Sequence, residues 1–190
     1  MAYQQEEFLM DISRLGDNLK RRFFQKLVNV FFCGTHFFFV KRVLLRFSGI
    51  KVGSGTKIVG PIYSSAFLEF GKDCWIGRNM NANGNGRIII GDKCDLAPDV
   101  MFLTGSHKIG NTDRRAGEGE SYVIHINDGC WIGARVTILG NTTIGPGSVV
   151  GTCSLVNKDL SANILAVGVP VKTIGSIYDD GQILLLKNNE

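Results

Sequence analysis

Between residues 126 and 159 the chain reads INDGCWIGARVTILGNTTIGPGSVVGTCSLVNKD. Aliphatic side chains recur at Ile126, Ile132, Ile138, Ile144, Val150 and Val156, six residues apart each time. The next position holds Asn127, Gly133, Leu139, Gly145, Gly151 and Asn157. Four places after each aliphatic comes Cys130, Val136, Thr142, Ser148, Ser154 or Leu160. A helix repeats at about 3.6 residues and a pleated strand at about two. A period of six fits neither. It fits a coil of short strands and turns with one aliphatic per strand pointing inward, and so predicts a parallel β-helix.

The same phase runs upstream through Val52, Ile58, Ser64, Phe70, Ile76 and Ala82. It slips by two residues in NANGNG and resumes at Ile90, Leu96 and Phe102. After Phe102 it is broken by GSHKIGNTDRRAGEGESYV, then returns in phase at Ile126, since 126 − 102 is four periods of six. A segment that leaves and re-enters a repeat without disturbing it is an inserted loop, here 104–124, and such loops on rigid scaffolds carry function. The repeat decays in SANILAVGVPVKTIG, where Pro170 stops the ladder, and residues 176–190 read as a short polar tail.

Residues 1–48 have a different character. Apolar positions in FLMDISRLGDNLKRRFFQKLVNVFF recur at helical spacing. Only three of the 24 Gly (Gly16, Gly34, Gly49) precede residue 50, and only three of the 12 Phe (Phe67, Phe70, Phe102) follow it. The chain therefore divides into a helical, aromatic-rich head over 1–48, a β-helix over 50–175 and a tail.

Charge respects the same boundary. The first 50 residues hold eight basic and four acidic side chains, and that difference of four equals the whole chain's net charge of +4. The solenoid is thus neutral overall, which argues against nucleic acid as its partner. The head has two compatible readings. It caps the open end of the coil, whose strand edge and core would otherwise be exposed; or it is a monotopic anchor with basic flanks that touches a membrane through residues 20–46. Its longest uncharged run, Leu27–Val40, is fourteen residues, short of the ~20 that span a bilayer. The first twenty residues carry Glu6, Glu7 and Asp11 and no apolar stretch, so no signal peptide is expected. The five Cys lack CxxC spacing, and Cys74, Cys94 and Cys130 fall on the small inward position of the repeat. They read as buried packing residues, and the location as cytoplasmic, peripheral to the inner face of the membrane if the head touches it.

Three histidines offer chemistry. His36 lies among phenylalanines in the head, and His125 precedes an inward Ile and should face outward. His107 stands where the solenoid gives way to the loop, half held and half exposed, as a general base near neutral pH requires. His107 and His125 are eighteen apart, one full coil, but the loop occupies that interval and no third ligand lies near. No metal is expected. Trp75 and Trp131 both occur in CWIG, where an indole packs or stacks on a ligand. NANGNG offers amides suited to a polyol, or ordinary turn chemistry.

CWIGARVTILGNTTIGPGSVVGTCSLVNKDLSANILAVGVPVKTI resembles the C-terminal half of the hexapeptide-repeat acetyltransferases. This left-handed β-helix group includes maltose, galactoside and polysaccharide O-acetyltransferases. The likeness covers about residues 50–175 and rests on the repeated IG, WIG, SVV followed by KD, and a terminal GVP. It implies left-handed winding, against the usual right-handed crossover, and a homotrimer with active sites between subunits. It further implies acetyl-CoA as co-substrate and transfer to a hydroxyl of a sugar or polysaccharide precursor. His107 in TGSHK takes the place of the family's general base, and Asn83 and Asn85 match its acceptor-contacting NxN. Arg114 and Glu118 match its loop positions. By motif position Trp131, Gly133, Ala134, Gly151 and Thr152 would line the pantetheine, with Asn157, Lys158 and Lys172 near the nucleotide. Here Lys108 follows the histidine where the family commonly has Pro. An N-acyltransferase of a nucleotide-linked amino sugar, and a zinc-dependent hydratase on the same scaffold, are the alternatives.

Overall fold

The structure, a computed structural model, describes residues 19–186. The parts of the predicted head at 1–18 and of the tail at 187–190 lie outside the described residues. The rest is a left-handed parallel β-solenoid of about six turns preceded by two helices. Three sheets form its faces. The first stacks Lys51–Val52, Phe67–Phe70, Arg87–Ile90, Val123–Ile126 and Thr142–Ile144. The second stacks Lys57–Ile58, Trp75–Ile76, Asp95–Leu96, Trp131–Ile132, Val149–Val150 and Ile164–Val167. The third stacks Ile62–Ser64, Met80–Asn83, Met101–Leu103, Thr137–Leu139 and Leu155–Val156.

The period of six arises because each side of the coil buries two residues separated by one that points out. Cys130 and Ile132, Val136 and Ile138, Ser148 and Val150, and Ser154 and Val156 are such buried pairs. Alternation within a strand is the pleat, and the turn at each corner completes the six. Full burial of each aliphatic contributes roughly 1.5–3 kcal/mol. Ser64, in phase with these positions, is only half-buried. Its strand, Ile62–Ser64, is the edge of the third face.

Register records both irregularities in the sequence. Lys57 pairs with Trp75, eighteen residues on, whereas Trp75 pairs with Asp95, twenty on, because of the two extra residues of NANGNG. Asp95 pairs with Trp131, thirty-six on, so the insertion adds eighteen residues and leaves the register intact.

One column inside the solenoid is polar. Thr56, Cys74, Cys94, Cys130 and Ser148 occupy the last corner position between the first and second faces in successive coils. Each donates to a backbone carbonyl one coil further on: Gly71, Gly91, Asn127, Gly145 and Ser161, at 2.6, 3.1, 3.1, 3.2 and 2.8 Å. The three thiols are therefore rungs of a hydrogen-bond ladder. Hydrogen bonding to Cys130 and burial push the Cys94 thiol up to about 12, and hydrogen bonding to Cys94 with burial also raises Cys74. The thiol–thiol contact with Cys94 lowers Cys130.

The head covers the first coil. Helix α1, residues 19–31, lies along the edge strand Ile62–Ser64. Arg21, Gln25 and Asn29, four residues apart on one helical face, meet its backbone in turn. Asn29 both donates to Ile62 O and accepts from Ile62 N, at 2.7 and 2.9 Å. Gln25 does the same at Ser64, and Arg21 donates to Ser65 O. Helix α2, Phe38–Phe47, supplies Lys41 to Val59 O, Arg42 to Thr56 O and Arg46 to Val52 O. Four of the head's basic residues thus act as donors to the uncovered rim of the coil. Burial holds the Lys41 ammonium below its usual range, opposed by Cys33.

Two expectations need correcting. The tail is not simply polar: Lys172–Ile177 and Ile183–Leu185 add two antiparallel strands to the second face. Lys172–Ile177 and the apolar run at 183–185 supply them, the latter read as tail because no turn residue separates it from the polar end. Pro170 ends the parallel ladder by turning the chain back, not by ending the sheet.

At the first–second corner the left-handed position is Gly55, Asp73, Lys93, Gly129, Gly147 and Asn163 in successive coils. Lys93, with φ 55°, carries the Cβ penalty that its column mates escape or tolerate. Lys93→Asn should raise unfolding stability by up to ~1 kcal/mol, read by chemical denaturation. In thiol titration, Cys33 and Cys153, both exposed, should react in the folded protein. Cys74, Cys94 and Cys130 should react only on unfolding.

Candidate active site

The arm grows from one corner, between the third and first faces. Thr104, fully buried, holds its root: its N–H and hydroxyl both donate to Asn83 O, at 2.8 and 3.0 Å. Its carbonyl accepts from Tyr122 N at 2.7 Å, and Arg87 N donates to Tyr122 O at 3.0 Å. Exit and re-entry are therefore neighbours, which is why the repeat resumes in phase. Tyr122 lies over two corner glycines. A Cβ on Gly86 would overlap its carbonyl, and one on Gly140 its ring.

The inserted segment is a β-hairpin, more ordered than a loop: Gly105–Ile109 pairs antiparallel with Ala116–Ser121. His107 sits opposite Gly119, and its Nδ1 lies 2.9 Å from Gly117 O. A carbonyl can only accept, so Nδ1 bears the proton of the neutral ring and Nε2 is left as the proton acceptor. Lys108 ion-pairs with Glu118 at 2.7 Å on the exposed hairpin. Tyr122 donates its hydroxyl to Glu120, and that carboxylate raises the phenol's pKa.

His107 borders a cleft of about 380 Å³ lined by Gly84, Asn85, Gly105, Ser106, Gly119 and Glu120. Asn85 Oδ1 accepts from Ser121 Oγ at 2.6 Å, which leaves the amide's N–H groups to donate. A second cleft, of about 420 Å³, shares Gly84 and Asn85 and is otherwise lined by Arg21, Arg22, Ser64 and Ser65.

Of the acceptor residues expected from sequence, the structure brings Asn85 to the cleft with His107. Asn83 is exposed at the end of its strand and lines neither cleft. Arg114 is at the hairpin tip, its N–H donating to Asn111 Oδ1, and Glu118 is engaged with Lys108. Ser106, Glu120 and the head's Arg22 also line these clefts and were not assigned to the site from the sequence. The hairpin pairing places the first two, and helix packing on the coil places the third. Among the described residues no three His, Cys, Asp or Glu side chains cluster to hold a metal ion.

The residues assigned to the coenzyme separate into two groups. Trp131, Gly133, Ala134, Gly151 and Thr152 gather at the corner of the second and third faces, with Lys172 paired to Val167 above them. Asn157 and Lys158 lie on the corner that carries the arm, two coils beyond it. Trp131 projects outward and is 58% exposed. Gly133 is small for the coil's own sake, since a Cβ there would stand 2.6 Å from Thr152 N. Within one chain, His107 and the Trp131 group thus occupy different edges of the prism.

Comparison with known proteins agrees with this architecture. Residues 124–158 match the family model described as bacterial transferase hexapeptide (six repeats). Galactoside O-acetyltransferase of Escherichia coli K12 is 37% identical over 134 residues, 67% of this chain and 64% of that protein. A hexapeptide-repeat acetyltransferase from Vibrio cholerae O1 biovar eltor, solved with acetyl coenzyme A, is 25% identical. It superposes with a TM-score of 0.73 over 86% of this chain and 88% of its own. A galactoside acetyltransferase solved with coenzyme A is 27% identical, with a TM-score of 0.72 over 87% and 82% of the two chains. The chain belongs to the hexapeptide-repeat, left-handed β-helix family of transferases. It spans about three fifths of the length of the curated relatives it matches.

Gly86→Ala should force the arm root away from Tyr122 and speed proteolytic cleavage between residues 105 and 121, with the solenoid's unfolding midpoint lowered much less.

Proposed function

We propose that this protein is an acetyl-CoA-dependent O-acetyltransferase that acetylates a hydroxyl of a sugar or polysaccharide precursor. The observation that carries the reading is the hydrogen bond from His107 Nδ1 to Gly117 O. It fixes the ring so that Nε2, beside a cleft with polar walls, is the free base. Acetyl-CoA supplies the activated acyl carbon. His107 Nε2 takes the acceptor hydroxyl's proton as that oxygen bonds to the carbonyl carbon. The carbon–sulfur bond breaks, and the imidazolium returns the proton to the departing sulfur. Asn85 donates to the acceptor, which extends into the second cleft beside Arg22. The relatives' names and the coenzyme complexes of two neighbours support the same chemistry.

In this reading Trp131, Gly133, Ala134, Gly151 and Thr152 hold the pantetheine arm, and Asn157, Lys158 and Lys172 meet the nucleotide phosphates. Because the Trp131 group and His107 lie on different edges, a complete site takes one edge from each of two copies, which the homotrimer implied by the family resemblance supplies. Arg114 and Glu118, which do not line the cleft in a single chain, act across that interface. Ile109 on the arm is 87% exposed, an apolar side chain suited to a neighbouring copy. Five free cysteines, three of them stacked in one column without a disulfide, suit the reducing cytoplasm. There the protein works peripheral to the inner face of a membrane.

Calorimetric titration with acetyl-CoA should show one saturable site per chain. A screen of mono- and disaccharide acceptors, followed by thiol release, should then find His107→Ala reduced by about 10²–10⁴ in kcat/KM with acetyl-CoA still bound. Absence of acetyl-CoA binding by the folded protein would end this reading.

A further inference from the structure

We propose that the outer surface of the helical head docks this protein onto an anionic lipid bilayer. Residues 19–50 contain seven basic side chains and no acidic one. Arg21, Lys41, Arg42 and Arg46 are turned inward to the carbonyls of the first coil. Lys20 and Lys26 remain exposed, with no hydrogen bond or ion pair among the described residues.

Large apolar side chains share this exposed surface. On α1, Leu19, Phe23, Lys26 and Val30 follow one another at i, i+4, i+7 and i+11, a single stripe of the helix opposite Arg21 and Gln25. Phe23 meets Phe24 edge-on at 5.3 Å, and Phe24 stacks on Phe47 of α2 at 5.6 Å, so the two helices present one continuous aromatic patch. Phe31 and Phe39 are each 70% exposed. Contiguous exposed apolar surface of this kind marks an interaction site.

Charge selects the occupant. A second copy pressed against this patch would bring lysines onto lysines, with no acidic residue of 19–50 to separate them. An anionic headgroup layer answers the unpaired cations, and the acyl boundary below it takes the aromatic rings. No described helix is long and apolar enough to cross a membrane, so the contact is interfacial. The inference gives a surface and a lipid chemistry to the membrane-peripheral part of the proposed function, and it does not depend on acyl transfer.

Flotation of the full chain with liposomes tests it, comparing phosphatidylcholine alone with phosphatidylcholine containing phosphatidylglycerol. Binding should be at least about tenfold stronger to the anionic vesicles and should fall with added salt. Phe31→Ser combined with Phe39→Ser should weaken binding to both vesicle types. Lys20→Glu combined with Lys26→Glu should abolish only the anionic preference. Circular dichroism confirms that each variant is folded. Failure of the wild type to float, or equal binding by wild type and both variants, would overturn the proposal. So would self-association without flotation that the phenylalanine variant reverses, which would assign the patch to a second copy. Flotation as expected without acetyl-CoA binding would leave the docking surface standing and remove the transferase reading.

Discussion

Each coil of the solenoid hydrogen-bonds to the coil before it and the coil after it, and this stacking is the constraint from which the rest follows. A parallel sheet has no hairpin to close its end, so the first coil presents a row of backbone groups with nothing beneath them. The head is the answer to that row. Asn29 and Gln25 each give an amide donor and acceptor to the edge strand, imitating the pairing of another strand with side chains from a helix. Arg42 and Arg46 reach carbonyls further along the same rim. At the other end the chain doubles back, and Lys172–Ile177 and Ile183–Leu185 continue the second face with antiparallel pairing.

The same stacking governs the interior. A corner carbonyl turned toward the core needs a donor, and the inward position below it must be small enough to fit a tapering corner. Thr, Cys and Ser satisfy both demands, which explains a column that runs Thr56, Cys74, Cys94, Cys130, Ser148. Thiol chemistry is incidental to it. At another corner, the root of the arm shows how a hairpin can be inserted without disturbing the coil. Thr104 and Tyr122 tie the two ends of the hairpin to each other and to the neighbouring corners, so the backbone above and below sees an uninterrupted turn.

That rigidity is what orients His107. The imidazole is not held by a carboxylate but by a backbone carbonyl of the opposing hairpin strand, whose position the pairing sets. The cleft beside it and the second cleft, which share Gly84 and Asn85, together draw on three coils and the head: Ser64 and Ser65 from the first, Gly84 and Asn85 from the second, the hairpin from the third, and Arg22 from α1. No two of those segments adjoin in the chain.

How much of this was legible depends on whether the information is periodic. Inward positions, the two-residue slip at NANGNG and the in-phase return at Ile126 were all readable, because a repeat makes each position predict the next. His107 stood out because it lies where the repeat breaks. Arg22, Ser106 and Glu120 did not, since nothing periodic marks them and only the packing of helix on coil and strand on strand brings them together. The basic head was ambiguous for a physical reason: a guanidinium that caps a carbonyl and one that faces a lipid headgroup look the same in a sequence. The sequence by itself determined the solenoid, its interruption and the histidine, because hydrophobic periodicity and local turn chemistry act along the chain. Only the tertiary structure decided which nitrogen of His107 is free, which lysines are left exposed, and that His107 and the Trp131 cluster stand on different edges, because those depend on contacts between residues far apart in sequence.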